Sequence, residues 1–278
     1  MMKLFTVDLH KEYDFLQGGT LECLVSENPF DAGAEDWIRP ALIVIPGGGY
    51  AMVSKREAVP VASAFFAKGF QVFTLKYLTV GDGICYPEQL LEAAAAVDYV
   101  KKNAKALHVN PDEVFAVGFS AGGHLTCNLA VEHQNVSEKI GVALDCKPTA
   151  VGLSYPVVSR KYGHHGSHDN LLHGYTDEAK EELLKTLNLD EAVSEHTPPA
   201  FIWSTTDDQI VPVENSLRYA LALTKQGIAY ELHVYPKGPH GLSVGDYEVN
   251  PGIDECKRVA VWVDDCAAFF RRYTQEKF

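Results

Sequence analysis

Val114-Phe115-Ala116-Val117-Gly118-Phe119-Ser120-Ala121-Gly122-Gly123-His124-Leu125 is the stretch from which the rest of the chain can be read. An apolar, partly β-branched run opens it, and predicts a buried strand over 114–118. Residues 121–131 that follow are helix-capable. Between the two stands Gly118-Phe119-Ser120-Ala121-Gly122, a G-x-S-x-G pattern. In this context the pattern predicts a strained strand-to-helix turn that presents a serine hydroxyl. The glycines are needed because side chains there would clash with the strand and helix packed on either side. The competing reading is an ordinary glycine-rich turn with a capping serine. Ser120 is therefore the candidate nucleophile.

Outward from this point, short apolar runs alternate with amphipathic stretches. Ala41 to Ile45 reads as a strand stopped by Pro46 and three glycines; Phe70 to Leu75, Ala150 to Ser154, Ala200 to Ser204 and Ala229 to Tyr235 read as others. That rhythm predicts an α/β fold, a mostly parallel sheet flanked by helices. The first 26 residues hold two alternating stretches around Gly18-Gly19, which predict an antiparallel hairpin at the sheet's edge. Pro87 sits where a first-turn proline belongs, ahead of Leu90, Ala94, Val97 and Val100 on one helical face. Leu217, Leu221 and Thr224 repeat in the same way before Gly227, as do Val259, Val263, Cys266, Phe270 and Tyr273. Each stripe is expected to face the core. Pro156 to Pro198 breaks the rhythm with His164, His165, His168 and His173 and a polar, helix-like run from Asp177 to Leu187. It is expected to be a short cap-like insertion over the sheet, within one domain spanning 1–278.

Twenty-four Lys and Arg stand against 37 Asp and Glu, a formal charge of −13. Such an excess repels nucleic-acid phosphates and anionic lipid head groups, so neither nucleic acid nor membrane is an expected partner. Met1 to Thr20 carries Asp8, Lys11, Glu12 and Asp14 with no long apolar stretch, unlike a signal peptide. No run approaches the ~18 apolar residues of a membrane span. Six dispersed cysteines without a C-x-x-C pair read as buried, reduced thiols. A cytoplasmic protein is expected, with an edge strand or the C-terminal helix available for pairing into a homo-oligomer.

A serine nucleophile needs a base, and behind such an elbow the partners follow in the order Ser, acid, His. His196 precedes the acid candidates. His233 lies mid-strand in Tyr230 to Tyr235, whereas His240 lies in a loop just past that strand's carboxyl end, where ligand and catalytic groups collect. His240 is the candidate base. The acid should follow the preceding strand, at Thr205-Thr206-Asp207-Asp208; the residues alone leave Asp207 and Asp208 both open. Pro46-Gly47-Gly48-Gly49-Tyr50 offers free backbone N–H groups to a developing oxyanion, and the Ala121 N–H completes such a hole. The glycine loop lacks the spacing of dinucleotide or P-loop fingerprints, and no cofactor is expected. The histidines from His164 to His173 lack the acidic partners and helical spacing of a metal set, so no metal is expected either. His124 shares the helix that begins at the nucleophile and is expected to pack or hydrogen-bond behind the elbow. Tyr77, Tyr155, Tyr162 and Phe119 are open between pocket lining and core.

The ordered set GGGY at 47–50, GFSAGGHL at 118–125, SYPVVS at 154–159, DQIVPVENSLRYA at 208–220 and GPHGLS at 238–243 resembles the acetyl-esterase and carboxylesterase branch of the α/β hydrolases. Members are often labelled lipase/esterase or xylan-esterase-like. The resemblance spans roughly residues 20 to 273 and implies the α/β-hydrolase fold. It also implies that the acid lies four residues before the proline of D-x-x-V-P; Pro212 is that proline, which selects Asp208. The family's oxyanion donors map to Gly48, Gly49 and Ala121. One departure stands out: hormone-sensitive-lipase relatives carry histidine before the glycines, and this chain has Pro46. What the resemblance implies is a carboxylic ester hydrolase for short-chain, above all acetyl, small-molecule esters. Amide, peptide or formamide hydrolysis on the same fold is the second reading, and a non-catalytic ligand-binding protein the third.

Overall fold

Strands with both faces buried carry near-continuous apolar sequence, and this property builds the centre of the molecule. A computed structural model describes residues 2–30, 37–163, 166–254 and 256–275. The chain enters as β1 (Met2–Asp8), passes α1 (Leu9–Glu12), and returns as β2 (Thr20–Ser26). Then come β3 (Arg39–Ile45), α2 (Val59–Ala67), β4 (Gln71–Lys76), α3 (Glu88–Lys102), β5 (Val109–Phe119) and α4 (Ala121–Ile140). After β6 (Val151–Ser154) follow α5 (Gly166–Leu171) and α6 (Asp177–Thr186). The last elements are β7 (Ala200–Thr205), α7 (Glu214–Lys225), β8 (Tyr230–Tyr235), α8 (Cys256–Val259) and α9 (Trp262–Arg271).

Among the described residues the strands form one sheet in the order β1-β2-β4-β3-β5-β6-β7-β8. β1 pairs antiparallel with β2, and β2 with β4; every other pairing is parallel. This is the α/β-hydrolase arrangement. The N-terminal strands pair as the alternation predicts, though α1 lies in their connection and the Leu9 N–H reaches the Gly19 carbonyl at 3.0 Å.

Successive residues of β3 point to opposite faces. Ala41, Ile43 and Ile45 join the core under α3, α4 and α7, while Leu42 and Val44 join the one under α2 and α9. On the second face Phe115 stacks on Phe270 at 4.6 Å and Trp203 on Trp262 at 5.4 Å. Each such ring, fully buried, contributes about 2–3 kcal/mol.

β3 is flanked by β4 on one side and β5 on the other. The strand order therefore reverses at β3/β5. Sites in open α/β sheets form at such a point. The glycine loop after β3 and the Ser120 turn after β5 both meet there.

Two helical expectations change. Leu217 (46 % exposed), Leu221 (45 %) and Thr224 all face outward; α7 buries Ser216, Tyr219, Ala220 and Leu223 instead. Both sets have helical spacing; the one that packs carries Tyr219, fully buried with its hydroxyl beside Cys127 of α4. The C-terminal stripe packs as expected, but across two helices, with Val259 in α8 and Val263, Cys266 and Phe270 in α9. The 156–198 segment leaves β6 and re-enters at β7, carrying α5 and α6. His164 and His165 lie outside the described residues. Among the described residues no helix is long and apolar enough to cross a membrane. All six cysteines are free thiols, five of them buried.

Candidate active site

Ser120 sits at φ 53°, ψ −118°, a conformation costing of order 1–3 kcal/mol that persists only where the surroundings enforce it. Here they do. The Ser120 N–H donates to the Ser154 carbonyl at 3.0 Å, and its own carbonyl accepts from His124 (3.0 Å) and Val157 (3.1 Å). A Cβ on Gly118 would overlap Thr126 Oγ1 and the Gly122 carbonyl; one on Gly122 would overlap the Ile45 and Pro46 carbonyl oxygens. Both glycines are steric requirements of a helix packed directly behind its strand.

The loop after β8 brings His240 to this turn. Its Nε2 lies 2.8 Å from Ser120 Oγ and its Nδ1 lies 2.6 Å from Asp208 Oδ2. The Asp208 side chain is 1 % exposed, and its Oδ1 accepts the N–H groups of Ile210 (2.8 Å) and Val211 (2.9 Å). Three donors converge on this one buried carboxylate. That carboxylate accepts a hydrogen bond from the Nδ1–H, which leaves Nε2 as an acceptor facing the serine. Asp207 turns the other way, with Lys237 Nζ 3.6 Å from its Oδ2. His233 contacts Glu231 at 2.9 Å and the Phe201 ring, and His196 stands exposed beside Glu195. Neither joins the site.

The glycine loop approaches Ser120 closely, for a Cβ on Gly47 would lie 3.0 Å from Ser120 Cβ. Gly48 and Gly49 adopt φ 123° and 64°. The Gly47 N–H is taken by Glu57 Oε2 at 2.8 Å. Among the described residues the N–H groups of Gly48 and Gly49 donate to no other group. Ala121 opens α4, so its N–H is a first-turn amide without an intrahelical acceptor. Among the described residues, the amides of Gly48, Gly49 and Ala121 thus lack a hydrogen-bond acceptor. The loop's carbonyls are held from outside: Tyr77 donates to Pro46 at 2.8 Å and the Asn170 carboxamide to Gly49 at 2.8 Å.

Glu57, Asn170 and the roles of Tyr77 and Tyr155 are absent from the sequence reading. Glu57 stands in a polar run, Ser54 to Glu57, with nothing to mark it as buried. Tyr155 is buried, donates to Glu57 Oε1 at 2.7 Å, and packs its ring 5.0 Å from that of His240. Phe119 is core, against Tyr155 and Trp262. Tyr162 is half-buried and bonded to Asp190 at 2.7 Å. His124 donates through Nε2 to the Leu187 carbonyl (3.4 Å) and accepts the Tyr50 hydroxyl at Nδ1 (2.9 Å). Burial pushes it down to about 4, so it stays neutral behind the elbow. His168 packs against it at 4.8 Å. Among the described residues no three His, Cys, Asp or Glu side chains are grouped to hold a metal.

An alcohol with a base at 2.8 Å, an acid behind the base and open amides beside it is equipped for acyl transfer. Comparison with known proteins agrees in kind. A family model described as BD-FAE matches residues 31–223. Endo-1,4-beta-xylanase B of Butyrivibrio fibrisolvens is 36% identical over 223 residues, 78% of this chain and 35% of that protein. An acetylxylan esterase of Xylanibacter ruminicola is 32% identical over 232 residues, 81% of this chain and 44% of that one. The chain thus spans less than half the length of either curated relative. The crystal structure of an acetyl ester-xyloside bifunctional hydrolase from Caldicellulosiruptor lactoaceticus superposes with a TM-score of 0.80 at 31% identity, covering 96% of each chain.

Proposed function

The chain belongs to the BD-FAE family, on the α/β-hydrolase fold, and from that premise we propose that it is a serine carboxylesterase cleaving short-chain, above all acetyl, esters. The observation that carries this reading is the unbroken chain of contacts from Asp208 through His240 to Ser120 Oγ. Ser120 Oγ attacks the ester carbonyl while His240 Nε2 takes its proton. The oxyanion of the tetrahedral intermediate is received by the amides of Gly48, Gly49 and Ala121. As the intermediate collapses, His240 returns the proton to the departing alcohol and leaves the acyl group on Ser120. Water, activated by the same imidazole, then releases the acid. Asp208 keeps its charge throughout and stabilises the imidazolium.

The acetyl preference is supported by the relatives, an acetylxylan esterase and an acetyl ester-xyloside hydrolase, both above 30% identity. A p-nitrophenyl ester series from acetate to decanoate, run on wild type and Ser120→Ala, tests both parts. Acetate to butyrate should turn over fastest, and Ser120→Ala should lower kcat by roughly three or more powers of ten. Retained turnover in the mutant would refute the nucleophile, and a decanoate optimum would refute the short-chain preference.

A further inference from the structure

The residues Lys55–Glu57 form a single 3-10 turn between the two loops that complete the site. Glu57 is buried there, and each of its carboxylate oxygens has a different partner. Oε2 accepts the Gly47 N–H at 2.8 Å, on the glycine loop. Oε1 accepts the Tyr155 hydroxyl at 2.7 Å, and that hydroxyl in turn accepts the Ser243 N–H at 3.0 Å, three residues beyond His240. The preceding residue reaches the same loop. Arg56 donates to the Gly241 carbonyl at 3.0 Å and to Asn250 Oδ1 at 2.7 Å, and its own carbonyl accepts the Ser243 hydroxyl. Asn250 closes the set by donating to the Leu242 carbonyl at 2.8 Å.

Only a carboxylate offers an acceptor at both ends of a planar group of this length. A buried charge is costly to retain unless its partners need it. Both partners of Glu57 are groups whose orientation bears on the site. One is the first peptide of a run of three glycines that would otherwise sample many conformations. The other is the ring that packs on His240. Burial first, and then the Glu57 carboxylate, push Tyr155 well above the usual phenol range, so it remains the donor in this pair.

We propose that Glu57 is a positioning residue that couples the oxyanion loop to the base-bearing loop. One oxygen holds the Gly47 amide so that the Gly48 and Gly49 N–H groups point at the developing oxyanion. The other holds Tyr155, and through it the Ser243 amide, so that His240 closes on the same intermediate. The inference rests on Ser120 as the nucleophile and deepens that reading. Oxyanion donors act on charge that exists only beyond the ground state, so their misalignment lowers kcat and leaves KM nearly untouched. A residue that merely supported the fold would have no reason to divide the two.

Glu57→Gln tests this with an isosteric side chain that leaves a single acceptor for two donors, so either the Gly47 amide or the Tyr155 hydroxyl proton loses its acceptor. With p-nitrophenyl acetate, kcat should fall roughly 10- to 100-fold while KM stays within about threefold, short of the loss of a whole oxyanion donor. A short-chain trifluoromethyl ketone, whose hemiketal on Ser120 mimics the oxyanion, should lose affinity by the same factor as kcat/KM. Wild-type kcat in folded Glu57→Gln, or a fall in kcat with ketone affinity intact, would overturn the proposal. If Glu57→Gln does not fold, Tyr155→Phe decides, since it keeps the ring against His240 and deletes only the hydroxyl. A parallel loss of kcat and ketone affinity supports the coupling, and no change in either overturns it. Ser120→Ala at wild-type turnover would remove the nucleophile and this inference together; a dead Ser120→Ala beside an undamaged Glu57→Gln would remove this inference alone.

Discussion

Two glycine-rich turns leave the carboxyl ends of neighbouring strands and meet at Ser120; close packing holds both, and polar side chains hold the second as well. The turn after β5 is held by excluded volume. Gly118 and Gly122 lie against backbone and against Thr126, and no side chain fits in either place. The loop after β3 is held by polar side chains that arrive from far along the chain. Glu57 takes its first amide, Tyr77 and Asn170 take its carbonyls, and Tyr50 is bonded to His124. Steric necessity can be met only by glycine and so leaves its mark in a pentapeptide, even where, as at Gly122, the clash is with Ile45 and Pro46 far away in the chain. Polar clamping is non-local and leaves almost none.

Gly122→Ala breaks the steric side of this contrast and should have the largest effect. Its Cβ would overlap two carbonyl oxygens of the adjacent strand end, where nothing flexible can yield. We expect little or no folded protein, read from soluble yield and the thermal midpoint. A midpoint within a few degrees of wild type would show that the elbow is not sterically enforced.

The next effect sharpens the contrast within one dipeptide. Asp208→Asn should lower kcat for p-nitrophenyl acetate by about 10³–10⁴-fold, because the amide imposes the wrong tautomer on His240. Asp207→Asn should change it by less than about threefold. Equal losses from the two would remove the distinction between the carboxylate facing His240 and the one facing Lys237.

The smallest effect concerns the polar side alone. His124 is held at about 4, below the ordinary imidazole value, so the folded state prefers it neutral. The unfolded chain takes up the proton near ~6.5. Its contribution to stability is therefore complete above that pH and is lost as pH falls through about 4. In thermal melts from pH 7 to pH 4, wild type should lose a few degrees more than His124→Gln. Identical slopes would mean that His124 does not titrate with folding.

The same divide explains what could be read beforehand. β3, β5 and β7 are buried on both faces, so their apolar runs announced them. The elbow showed itself through glycines that nothing else can replace. The outward turn of Leu217 and Leu221 could not be read, because α7 carries two stripes of equal spacing and only the sheet chooses between them. Asp207 and Asp208 were inseparable from their own residue types; the D-x-x-V-P resemblance pointed to Asp208, which is the one lying 2.6 Å from His240. Glu57 was invisible for a physical reason. Its partners stand ten and ninety-eight residues away, and no local pattern encodes a carboxylate that serves two loops.

The central claim is that Ser120 is the nucleophile of this acyl-transfer site, and covalent capture tests it most directly. The protein would be treated with a fluorophosphonate, weighed intact, and the modified peptide mapped. A single adduct is expected on Ser120, absent in Ser120→Ala and slow to form in Asp208→Asn. No adduct at all, or one on another residue that persists in Ser120→Ala, would contradict it.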